Sequence, residues 1–333
     1  MKIDWTPLRE MIAVHKRFVL TTHVRPDADA IGSEIAMAGL LEQLGKEVRI
    51  VNASPVPPRL AFIDPDKKCL QIGSQVSEAE ALDTDVHMIL DTSAWGQLAE
   101  VGRVFKKTAA VKVVVDHHVF AENLGAINLK DTAAEATGAL VFQFAQVMNL
   151  IITPTIGTAM FAAIATDTGW FRFPSTTSET LRTIASLIDF GILPAVVYRQ
   201  LYEHCTLARI KLAGRVLTRM MLDCGGKLGW TYVTLVDYRE TGAEPPDTED
   251  LVNECLTVDG VEAAFILIEQ TNGNVKASLR SRVQLDVSQI AGSFGGGGHK
   301  QAAGAILPGP LADVQEKILT AMKALFINGP LAS

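Results

Sequence analysis

At 333 residues, 48% of them hydrophobic and 20% charged, the chain is long enough for two hydrophobic cores and too apolar to stay disordered. A formal net charge of -7 excludes a broad basic face for long duplex nucleic acid, which needs many phosphate-neutralising Lys and Arg, but a small anionic substrate stays compatible if bound cations meet its charge. No apolar run approaches the roughly 18 to 20 residues of a spanning helix, and Cys69, Cys205, Cys224 and Cys255 are too scattered for a zinc knuckle or redox pair, so a cytoplasmic protein with reduced cysteines and no membrane contact is expected.

In chain order, residues 17–23 (RFVLTTH), 47–53, 86–91 (VHMILD) and 111–116 (VKVVVD) read as strands, the last two as nearly continuous apolar runs that suit a sheet buried on both faces. Helical patterns at 31–44 and 133–148 lie between or after them. The alternation predicts an α/β fold with a doubly wound, mainly parallel sheet, in which ligands bind outside the carboxyl ends of the strands. Further helical patterns occupy 155–165 and 178–190, and Pro194 opens a long amphipathic stretch to about Leu222. A smaller α/β unit follows, with strands at 230–236, 263–269 and 275–283 and a helix at its end. The expected domains are 1–192, a helical connector at 193–222, and 223–333.

Four polar clusters fall at predicted element ends. TTHVRPDADAIGS places His23, Asp27 and Asp29 within seven residues, and an extended loop there would point both aspartates the same way; a helix N-cap explains the same acids without any metal. Asp91 ends a strand as LDTS, where a turn or cap role is the plainer reading. Asp116, His117 and His118 end the next strand as VVVDHH, and three adjacent titratable groups have little structural reason to follow so apolar a run. Asp167, in ATDTGWFR, follows an apolar segment that would otherwise bury it, or else forms a turn closed by Gly169. Gathered along one sheet edge, five carboxylates would repel by up to about 4 kcal/mol per close pair at an effective dielectric of about 20. Cations are the natural remedy. Carboxylate and imidazole ligands without thiolate suit Mn2+ best, with Fe2+, Co2+ or Mg2+ also compatible and zinc less favoured.

These motifs, in this order, resemble the DHH-family phosphoesterases across about residues 17–190, and are most similar to the nanoRNase/pAp-phosphatase branch, whose TDTGxFR segment matches 166–172 and whose glycine-rich GGGGHxxAAG segment matches 295–304. Two departures stand out: Ala28 replaces a frequent Gly, and Gln97 lies where several relatives carry Arg, removing a candidate contact to substrate phosphate. The resemblance implies two divalent ions, one held by His23, Asp27 and Asp91 and the other by Asp29, Asp91, His117 and Asp167, with Asp91 bridging. Water is then the nucleophile. Asp116 would orient an imidazole, and His118, facing another way, would contact the scissile phosphate and protonate the leaving oxygen.

In VKASLRSRV a period of two puts Lys276, Ser278, Arg280 and Arg282 on one face. Lys276 reads equally well as solvated, whereas Arg280 and Arg282 suit paired hydrogen bonds to phosphate. Gly296, Gly297 and Gly298 form a flexible tether or let backbone N–H groups approach an anion, with His299 reaching a base or terminal phosphate. A cleft between the domains, hinged near 190–210, would close over short single-stranded RNA or a nucleotide, and a homodimer stays open. The expected activity is hydrolysis of short oligoribonucleotides to mononucleotides and removal of the 3'-phosphate of pAp. Linear or cyclic dinucleotides, or pyrophosphate, would need the same chemistry. A non-catalytic RNA-binding module is disfavoured by an aromatic content of 6%, and a dehydrogenase by the absence of GxGxxG after the first strand.

Overall fold

The computed structural model describes residues 3–282 and 285–328, which divide into two compact units, 1–204 and 205–333. The first opens with α1 (Thr6–Val14) and then alternates: β1 (Arg17–Thr21), α2 (Ala28–Gln43), β2 (Glu47–Asn52), β3 (Cys69–Gln71), α3 (Glu78–Leu82), β4 (Val86–Leu90), α4 (Ala99–Lys107), β5 (Val111–Asp116) and β6 (Ile127–Lys130). Four helices complete it: α5 (Thr137–Val147), α6 (Pro154–Asp167), α7 (Ser178–Asp189) and α8 (Pro194–Tyr202). All strand pairs are parallel, in the order β3-β2-β1-β4-β5-β6.

Alternation along the central strands feeds two cores. Phe18, Leu20, Met88, Leu90, Val113 and Val115 face the large core built with α2, α5 and α6. Val19 faces Val76 and Val104, and Ile89 and Val114 face Phe105, on the opposite side. The sheet is thus covered on both faces, which is why its strands read as continuous apolar runs. The strand order reverses between β1 and β4, a switch point at which crossover helices depart to opposite faces and leave a crevice at the strand ends.

The stretch after Pro194 is not one helix. Unit 1 closes with α8, and α9 (Leu207–Thr218) begins the second unit after Thr206 caps it, its Oγ1 accepting from the Arg209 N–H at 3.0 Å. Strands β7 (Met221–Asp223) and β8 (Leu228–Val233), α10 (Leu235–Thr241), α11 (Leu251–Cys255), β9 (Ala263–Glu269), β10 (Asn274–Ser281), α12 (Val287–Ser293), β11 (Gly297–His299), β12 (Ala302–Pro308) and α13 (Leu311–Asn328) follow. Their sheet runs β11-β12-β10-β9-β8-β7, with only β8 and β9 parallel among the described pairs. The expected strand over 275–283 is present to Ser281; its last position, Val283, lies outside the described residues. Among the described residues no single helix is long and apolar enough to cross a membrane.

Candidate metal centre

Strand ends and helix ends bring the four polar clusters of the first unit together. His23 lies two residues past β1, Asp91 directly follows β4, and Asp116 closes β5 with His117 next. Asp167 is the last residue of α6. The expectation of an extended loop for Asp27 and Asp29 is corrected: Asp27 is the N-cap of α2, its Oδ1 accepting from the Ala30 N–H at 3.0 Å, and Asp29 sits in the helix's first turn. The capping signal and the ligand signal are the same residues.

Three sets of side chains have ligand atoms close enough to share an ion: His23, Asp27 and Asp91; Asp29, His117 and Asp167; and Asp91, His117 and His118. Asp91 belongs to the first and the third and also faces His117 of the second. Its Oδ2 is 3.6 Å from His23 Nε2, and its Oδ1 is 3.5 Å from His117 Nε2. His117 Nε2 also lies 3.3 Å from Asp167 Oδ2 and 3.7 Å from Asp29 Oδ2, and His23 Nε2 lies 3.9 Å from Asp27 Oδ1. In both imidazoles Nδ1 points at a backbone carbonyl, Val24 O at 3.0 Å and Ala134 O at 3.2 Å. A carbonyl only accepts, so Nδ1 carries a proton and Nε2 is the nitrogen turned towards the carboxylate oxygens. This donor set of oxygen and imidazole nitrogen fits divalent ions.

The electrostatics agree. Asp91 and Asp29 are 2% and 1% exposed. Burial, then the neighbouring Asp29, Asp27 and Asp167, holds the Asp91 carboxyl well above the usual range. Burial and then Asp29 and Asp27 push Asp167 up to about 8. The Asp91 backbone is left-handed, with φ 63°, a conformation costly for a residue with a Cβ and found where a side chain must be aimed.

Several contributors left no mark in the sequence reading. Asp29 is held by the start of α5: its Oδ2 accepts from the Thr137 N–H and its Oδ1 from the Gly138 N–H, both at 2.8 Å, where the helix dipole favours an anion. Thr137 Oγ1 donates to Asp91 Oδ1 at 2.9 Å. Asp116 Oδ1 accepts from His118 Nδ1 at 2.8 Å. The other Asp116 oxygen accepts from the Ser93 hydroxyl and from Lys130 Nζ at 2.9 Å, and the same ammonium donates to Phe120 O at 3.0 Å. Burial works against the Asp116 charge, but these donors, His118 first, hold its carboxyl below the usual range. The bond to Asp116 raises His118, which is half exposed and keeps Nε2 for another partner. His118 does not turn away from the centre as expected: its Nδ1 is 3.7 Å from Asp91 Oδ1, and its ring centroid 4.5 Å from that of His117.

In the second unit β10 alternates as expected. Val275, Ala277 and Leu279 enter the core, while Lys276, Ser278 and half-buried Arg280 share the other face. Arg282 is exposed just past the strand end, its N–H donating to Glu262 O at 2.8 Å. The glycine run is no tether. The N–H groups of Gly295 and Gly296 close α12 by donating to Gly292 O and Ala291 O, and Gly297 and Gly298 form β11 against Gly304 and Ala303. A Cβ on Gly296 would meet Gly304 O at 2.2 Å, and one on Gly298, whose φ is 144°, would meet Ala302 O at 2.5 Å, so both must be glycine for the strand to lie this close. The backbone of His299 pairs with Ala302; its side chain lies outside the description.

The profile described as "DHH family, N-terminal domain" matches residues 17–164, and that described as "DHHA1 domain" matches 225–328. A protein of Thermus thermophilus named "Bifunctional oligoribonuclease and PAP phosphatase NrnA" is 33% identical, over 93% of this chain and 90% of its own length. The protein of the same name from Bacillus subtilis is 23% identical over 90% and 92%. Among solved structures, an exopolyphosphatase-related protein from Bacteroides fragilis superposes with a TM-score of 0.87 at 25% identity, covering 96% of this chain and 95% of that one.

Proposed function

This chain belongs to the DHH family, and we propose that within it the protein is a two-metal phosphoesterase that hydrolyses short oligoribonucleotides to mononucleotides and removes the 3'-phosphate of pAp. The names of the relatives similar over nine tenths of the chain support the substrates. The observation that carries the chemistry is Asp91, whose two carboxylate oxygens face two separate ligand sets.

In this reading His23, Asp27 and Asp91 hold one ion, and Asp29, Asp91, His117 and Asp167 the other. Mn2+ is the ion we favour, from the mixed oxygen and nitrogen donors. Divalent ions there supply positive charge for the phosphate oxygens and acidify water as the nucleophile. The chain supplies the rest. Thr137 and Gly138 fix the Asp29 oxygens, so the carboxylate cannot rotate out of the centre. The backbone carbonyls of Val24 and Ala134 keep both ligand imidazoles in the tautomer that presents Nε2. Asp116 holds the proton on His118 Nδ1, which makes an imidazolium available to neutralise charge on the phosphate and to protonate the leaving oxygen. Arg280 and Arg282 are assigned to substrate phosphate, with Gly296 and the β11 strand after it, Gly297–His299, as a binding edge.

A panel of pAp, pApA, a trinucleotide, cyclic di-AMP and pyrophosphate, assayed with Mn2+ and again after chelation, tests this. Metal-dependent turnover of pAp and the trinucleotide is expected. Turnover confined to cyclic di-AMP or pyrophosphate, or full activity in the chelator, would overturn it.

A further inference from the structure

The second unit holds a cavity of about 630 Å3 that no role above uses, of a size that suits a small organic ligand. Its floor is the Ile268 and Lys276 pair of β9 and β10, and its walls include Tyr238 and Arg239 from α10 and Pro245. The charges around it are unequal in kind. Glu269 accepts from the Leu235 N–H at 2.9 Å, whereas Glu244 caps its turn through the backbone, its carbonyl accepting from the Asp247 N–H at 2.9 Å. Lys276 and Arg239 are exposed and, among the described residues, have no ion pair or side-chain hydrogen bond. Two free cations beside a phenol ring and a proline face suit an anion that carries a flat ring, which is the chemistry of a nucleotide.

Position adds the second argument. Lys276 is on the same face of β10 as Arg280, four residues away, or about 13 Å along the strand. That span exceeds one nucleotide of an extended strand. We propose that the Lys276–Arg239 cavity is a distal nucleotide subsite, occupied only by oligonucleotides long enough to reach beyond Arg280. The proposal rests on the reading of Arg280 as a phosphate contact. It gives the protein a preference among short RNAs by length, because each added nucleotide gains affinity until the cavity is filled.

The test is the double variant Arg239→Ala/Lys276→Ala in the full chain, compared with wild type in two ways. In chelator, binding of a fluorescein-labelled pentanucleotide is measured by anisotropy; with Mn2+, KM and kcat are measured for pAp and for the pentanucleotide. Expected are about tenfold weaker pentanucleotide binding and a similar rise in its KM, with kcat and all pAp parameters within about twofold, as for loss of charged phosphate contacts away from the reacting bond. Unchanged pentanucleotide binding overturns the subsite. An equal loss on pAp overturns it as well, since a single nucleotide held at Arg280 does not span the roughly 13 Å along β10 to Lys276. A wild-type enzyme inactive on every nucleotide would instead refute the proposed activity, and the anisotropy comparison would still decide the subsite.

Discussion

Replacing Asp91 by Asn separates the two consequences of crowding carboxylates around an ion pair. The amide keeps the size of the side chain, can still accept from Thr137 Oγ1, and asparagine tolerates the left-handed backbone at φ 63°. What it removes is one negative charge, buried and surrounded by Asp27, Asp29 and Asp167. At an effective dielectric of about 20 a carboxylate pair about 4 Å apart repels by about 4 kcal/mol. Proton uptake by Asp91 already relieves part of this, so the metal-free variant should gain about 1 to 3 kcal/mol of stability. The same change leaves one oxygen donor where two ligand sets need a shared carboxylate, so kcat on pAp should fall by about a thousandfold or more. Differential scanning calorimetry in chelator and in Mn2+, with turnover of pAp, reads both effects: a higher Tm than wild type without metal, a much smaller rise on adding Mn2+, and near-silent catalysis. A variant less stable than wild type in chelator, or one with near-normal turnover, refutes the reasoning.

Three other predictions follow from the same geometry. Asp167 is raised to about 8 from an ordinary 3.8, and buried Glu34 to about 8 from 4.5, both chiefly by burial. The folded chain therefore holds protons that the unfolded chain has released, and metal-free stability should fall as pH rises from about 4 to 8. In urea titrations saturating Mn2+ should cancel the share of Asp167 and of Asp91, also raised by burial, while the remainder should disappear in Glu34→Gln; a flat or rising metal-free profile would contradict these shifts. Lys130→Met strips the ammonium from Asp116 and from the Phe120 carbonyl, and should lower kcat on pAp by about tenfold to a hundredfold with Mn2+ affinity unchanged, as measured by steady-state kinetics and metal titration. Wild-type kcat would remove Lys130 from any role. Gln97→Arg places a guanidinium near His23, since Gln97 O accepts the Val24 N–H at 2.7 Å, and should lower KM for pAp several-fold; a higher KM would show that no phosphate passes there.

The parallel sheet was legible because its central strands are apolar on both faces, and the ligand clusters because strand ends in such a sheet collect at one edge. The short edge strands β3, β6, β7 and β11 escaped notice because three or four residues with one solvated side carry no period. Asp27 and Asp29 were placed in a loop because a cap and a ligand share the same residue type, and only the Ala30 N–H decides between them. Ser93, Lys130, Thr137 and Gly138 act on partners up to 109 positions away, which no local pattern encodes. The glycine run looked like a free anion cradle, but its spacing answers to the carbonyls of Ala302 and Gly304.

Electron paramagnetic resonance during titration of the metal-free chain with Mn2+ addresses the paired centre most directly. Two equivalents should bind per chain, with the second converting the spectrum of an isolated ion into that of a spin-coupled pair, and Asp91→Asn should abolish the coupling. Saturation at one equivalent, or two ions that remain magnetically independent, would contradict a carboxylate shared between neighbouring cations.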